Sequence, residues 1–173
     1  MKKHQLSLSA AKRAIILGLI LVSFMLQFII LPRTALPFPL LLLIPVGVAA
    51  AMHESELMAL LWGLISGILW DMASPVTDGL YALIFPVIFL FTGLLSKHLL
   101  RNTLLTASIF TAVFSLIPSL LSLMYSGEEL SRVLIQSVIK AECIPAVITS
   151  LIILVPVYFF ISAVSRRFSY ERS

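Results

Sequence analysis

Apolar residues run along this chain in blocks of about 20, and the polar residues collect in short clusters between the blocks. The pattern lacks the alternation of a half-buried strand and the polar face of a surface helix. A hydrocarbon core about 30 Å thick is crossed by roughly 20 apolar residues in helical form. Six blocks meet or approach that length: residues 14–31, 35–52, 57–73, 79–96, 103–125 and 143–164. The fold class this predicts is all-α, a polytopic membrane protein with a compact bundle of about six transmembrane helices. Residues 1–173 form a single transmembrane domain in this reading.

The clusters between blocks refine the picture. Pro32-Arg33-Thr34 and His53-Glu54-Ser55-Glu56 are short turns. Pro37 and Pro39 fit an extended entry or helix start, whereas Pro45 lies inside its block and predicts a kink. The third block reaches only Trp70 before Asp71, so its helix is expected to continue to about Ala73 or to be shielded by neighbours. Residues 71–78 form a loop containing Ser74-Pro75, after which Asp78-Gly79 opens the fourth helix with Asp78 as its N-cap. Leu130, Val133, Leu134, Val138 and Ile139 recur at helical spacing opposite Arg132, Gln136 and Lys140, the pattern of an amphipathic helix lying at the interface. Pro145 and Pro156 predict bends in the last helix.

Composition agrees with a lipid environment: 60% of residues are hydrophobic and 12% charged, with a mean hydropathy of +1.10. An average soluble domain carries about twice that charge. The net charge of +4 does not point to nucleic acid, because the basic residues form no stripe interleaved with aromatics. They sit at block ends instead. With the N-terminus in the cytoplasm, six crossings leave only Arg33, Arg132 and Lys140 outside and place both chain termini inside. Lys2, Lys3, Lys12 and Arg13 before an apolar run imitate a secretion signal, but no small-residue cleavage site follows, so the run reads as an uncleaved first helix. The single Cys143 gives no internal disulfide.

Candidate chemistry is sparse. Gly63 and Gly67 form a small-xxx-small pair, and Asp71 extends the row by one further turn. Such glycines let a second helix backbone approach closely, either within the bundle or from a partner chain. Asp71, at the end of its helix where the dipole disfavours a carboxylate, is either a functional intramembrane acid or an outer-loop carboxylate meeting water. His4, His53 and His98 lie at different block ends without ligand spacing, so no metal or cofactor is expected. Glu128-Glu129-Leu130-Ser131-Arg132 resembles the Glu-Glu-x-x-x-Arg motif of intramembrane prenyl-protein proteases. It is one residue short and lacks the accompanying histidine helices, and reads as a solvated charge cluster. No catalytic residue is assigned.

The segment Gly63-Leu64-Ile65-Ser66-Gly67-Ile68-Leu69-Trp70-Asp71-Met72-Ala73-Ser74-Pro75, followed by Gly79-Leu80-Tyr81-Ala82-Leu83, resembles the MreD family of rod-shape-determining membrane proteins. That family carries a Gly-x-x-x-Gly-x-x-x-Asp run, a short turn, then Gly-Leu with an alanine nearby. Pro39 and its leucines are similar to the family's second-helix entry, with leucine where an acidic residue is common. The resemblance implies a non-enzymatic component of the bacterial inner membrane that binds the bitopic protein MreC. Through it or directly, such proteins work with the MreB filament and a RodA-type polymerase with its transpeptidase in sidewall peptidoglycan synthesis. Gly63, Gly67, Asp71, Pro75 and Gly79 are then the candidate helix-packing or partner-contact residues. The resemblance also implies the six-helix fold of the substrate-capture subunits of energy-coupling-factor vitamin transporters. Solute capture is the alternative function, although single Ser and Thr residues plus Gln27 make a thin lining for a pocket.

Overall fold

Long apolar stretches fold as helices because lipid offers their backbone no hydrogen-bond partners. The computed structural model describes residues 2–30, 41–74, 79–98, 103–125 and 143–170, and among these every regular element is helical. In chain order they are α1 (Lys2–Met25, continuing as a π-helical segment Leu26–Ile30), α2 (Leu43–His53), α3 (Glu56–Ala73), α4 (Leu80–His98), α5 (Leu104–Tyr125) and α6 (Ile144–Tyr170). Ala10–Ile29, Glu56–Ala73, Leu80–His98 and Ile144–Arg167 are each long and apolar enough to cross a membrane. Their outward faces are bare hydrocarbon: Leu57 is 78% exposed, Met72 79% and Leu83 71%. In water such surface would drive aggregation; in lipid it is the normal exterior. Pro37, Pro39, Pro75, Asp78, the 130–140 stretch and the Glu128–Arg132 cluster lie outside the described residues.

The helices α1 and α6 run past the apolar blocks into their charged flanks, because Lys and Arg are good helix formers and nothing there breaks the ladder. The second block departs further from expectation. Its described helix has 11 residues, or about 16 Å at 1.5 Å per residue, half the hydrocarbon thickness. Pro45 therefore sits in the first turn, where its missing N–H has no intrahelical partner to lose, rather than kinking a long helix. Pro145 occupies the first turn of α6 in the same way.

This short helix is the centre of the bundle. Leu43 through Met52 are all buried, and α2 packs against each of the other five helices. A helix apolar on every side requires such enclosure. The most extensive pairing is α3 against α4, an antiparallel hairpin. Starting inside the bundle, α2 must also satisfy its leading N–H groups without water. Gln27 does this from the π-helical segment of α1: its Oε1 accepts from Leu42 N at 2.8 Å and from Leu43 N at 2.9 Å.

Candidate functional site

The row Gly63–Gly67–Asp71 lies along the face of α3 turned to α4. A Cβ on Gly63 would stand 2.6 Å from both Phe85 O and Pro86 Cα, and one on Gly67 would stand 2.7 Å from Ala82 Cα and collide with Tyr81 O. These are backbone atoms, which cannot swing aside. The two helices touch main chain to main chain, and both glycines are covered by α4 of the same chain.

That contact brings Asp71 to the start of α4. Its Oδ2 accepts from Ala82 N at 2.7 Å and its Oδ1 from Tyr81 N at 3.2 Å. The carboxylate thus caps two of the leading N–H groups of α4 and faces the positive end of that helix's dipole. Charge that the C-terminus of α3 would disfavour is stabilised by the neighbouring helix. Gly79, at φ +87°, supplies the left-handed residue immediately before Leu80; the space around its Cα is open, so the requirement is conformational. Four of the five candidate residues therefore converge on one hairpin, with Pro75 outside the described residues.

An aromatic ladder, missed in the sequence reading, backs this hairpin. Trp70 meets Phe28 of α1 edge-on at 5.2 Å, Tyr81 at 5.1 Å and Phe85 at 5.4 Å. Phe85 stacks on Phe89 at 5.8 Å, and the Phe89 ring lies against Gly47 of α2. The signal was present in Phe24/Phe28 and Tyr81/Phe85/Phe89, each four residues apart and so on one helix face.

The opposite end of the bundle is ionic. Lys12 Nζ donates to the His53 carbonyl at 2.9 Å and pairs with Glu54 at 2.9 Å, so α1 holds the C-terminus of α2 where cation and helix dipole agree. Glu56 pairs with Lys97 at 3.7 Å and His98 at 3.5 Å. The 53–56 turn, without a cation of its own, is thereby matched by lysines from α1 and α4. The His53 ring shares a hydrogen bond with Ala49 O at 2.9 Å and meets Tyr158 edge-on at 5.2 Å. Burial holds its pKa below 6.5; the Ala49 hydrogen bond opposes this, and the charge of Lys12 adds to it. Among the described residues no three His, Cys, Asp or Glu side chains converge as metal ligands would.

A helical bundle with this hairpin fits a family comparison: the model described as rod shape-determining protein MreD matches residues 10–168. The chain belongs to the MreD family. No curated protein and no solved structure matches it. Membership makes it a rod-shape-determining membrane protein, and the run Gly63-x-x-x-Gly67-x-x-x-Asp71 has a physical meaning in this chain. Two glycines let α4 come close enough for the acid one turn further on to cap it.

Proposed function

We propose that this MreD-family chain is a non-enzymatic member of the cell-elongation complex of the bacterial inner membrane, where it binds MreC and helps position sidewall peptidoglycan synthesis. The observation that carries this reading is the family match over nearly the whole chain. The structure adds that two polar side chains of the apolar helices are spent on helix ends: Gln27 on α2 and Asp71 on α4. The alternative of solute capture needs convergent polar groups around a ligand, and the family match does not support it.

Orientation in the proposal follows the cations. Lys12 and Lys97 meet the 53–56 turn at one end, and α6 carries Arg166 and Arg167 to that same end, where Arg166 acts on His53. The positive-inside rule puts this end, with both chain termini, in the cytoplasm. Gly63 and Gly67 being covered by α4, the partner surface is assigned to the exposed apolar faces, among them Leu83, Val87 and Phe91 along α4. A bitopic helix would pack there in lipid. MreB and the RodA-type polymerase with its transpeptidase join directly or through MreC.

The test is depletion of the protein in its rod-shaped host, with affinity purification of the full chain from membranes. Rounded cells and MreC in the eluate are expected. Rods of normal shape with an ATPase transporter module in the eluate would replace the proposal by solute capture.

A further inference from the structure

The glutamates at the ionic end are already matched, Glu54 by Lys12 and Glu56 by Lys97 and His98. Arg13, Arg166 and Arg167 are exposed there, and none of them pairs with a carboxylate among the described residues. They belong to α1 and α6, which pack against each other. Lys12 and Arg166 both lie close enough to His53 for their charges to act on it, which brings the two helix flanks around one point. The surface beside the arginines is apolar. Phe159 and Phe160, two turns before the arginines of α6, are 59% and 50% exposed.

A ligand for this seam needs a phosphate-like anion joined directly to hydrocarbon. Guanidinium groups bind phosphate with two parallel hydrogen bonds, and the rings of α6 lie two turns further into the apolar block than its arginines. A free anion would leave the apolar part uncovered, and an acidic soluble protein would not reach it. We propose that the α1–α6 seam at the ionic end is a binding site for the headgroup of an anionic phospholipid. The phosphate rests on Arg13, Arg166 and Arg167, and an acyl chain lies against Phe159 and Phe160. Basic pockets between membrane helices recognise anionic lipids by the same physics. The site would anchor the first and last helices of the bundle to one lipid molecule.

The full-length protein reconstituted in bilayers of phosphatidylcholine, with and without a fraction of phosphatidylglycerol or cardiolipin, tests this by thermal unfolding. The anionic lipids are expected to raise the midpoint by about 2–4 °C or more. The R166Q/R167Q variant should match wild type in pure phosphatidylcholine and lose the rise, whereas R166K/R167K should keep part of it. Native mass spectrometry of the detergent-released protein should show one anionic lipid retained by wild type and none by the glutamine variant, a readout that does not depend on unfolding. No rise in wild type, an equal rise in the glutamine variant, or the same rise from inorganic phosphate alone would each overturn the assignment.

Discussion

A carboxylate in the last turn of a helix faces the negative end of that helix's dipole, and Asp71 taken within α3 alone is badly placed. Its two acceptor oxygens find their partners on the next helix, at Tyr81 N and Ala82 N. Asp71→Asn retains one acceptor oxygen and loses the charge, so a loss of about 1 kcal/mol in unfolding free energy is expected. Asp71→Ala leaves two N–H groups facing apolar surroundings and should cost about 2–3 kcal/mol. Unfolding of the purified protein in a fixed detergent measures both, and an Asn variant as stable as wild type would show that the charge is dispensable. Gly67→Leu is more severe, because the obstruction is the backbone of α4. Separating the helices should cost about 3 kcal/mol or more through overpacking and loss of the Asp71 cap. Normal yield and stability of that variant would contradict the main-chain contact.

The glycine row and Asp71 were legible in the sequence as a helix-packing motif with an acid attached. What the acid does is not legible there, since its partners, Tyr81 N and Ala82 N, lie across a turn on the next helix. Gly79 is legible as part of a helix start and as a candidate contact residue, and its positive φ gives the helix start its physical content.

Among the elements, α2 shows most clearly where a one-dimensional reading stops. Its apolar block predicts a full crossing with a kink at Pro45, yet the described helix begins at Leu43 and its N-terminus lies within the bundle. Block length records how much chain avoids water, not how much of it is helical. Gln27 reads in sequence as a polar interruption of the first helix, and its acceptor role depends on α2 arriving beside it. Gln27→Leu preserves bulk and removes the acceptor for Leu42 N and Leu43 N, so a loss of about 1–3 kcal/mol is expected in the same unfolding measurement. A neutral outcome would mean that α2 does not rely on this cap.

The other end of α2 has a pH dependence with a definite sign. Burial lowers the folded-state pKa of His53 below its unfolded value of 6.5, so protonation favours the unfolded chain. The stabilisation is fully present above about pH 6.5 and is lost as pH falls from there toward the folded pKa. His53→Phe, which keeps a ring against Tyr158, should flatten this dependence relative to wild type. Identical stability profiles for the two proteins between pH 7 and 5.5 would contradict the lowered pKa of the half-buried His53 ring.

At the scale of the whole molecule, the helical class and the membrane setting follow from block length and charge placement alone. The arrangement does not, because a central α2 enclosed by the other described helices is decided by long-range packing that single-sequence periodicity does not encode. Closed internally by the Gln27, Asp71 and Lys12 contacts, the bundle presents lipid-facing apolar helices and one ionic end. Those are the surfaces that the proposed role in the cell-elongation complex would use. The claim is tested most directly by depleting the protein from its rod-shaped host and following cell shape while a plasmid copy is supplied or withheld. Rounding or swelling that the wild-type copy reverses is the predicted result. Cells that keep dividing as normal rods after the protein is gone would contradict the account.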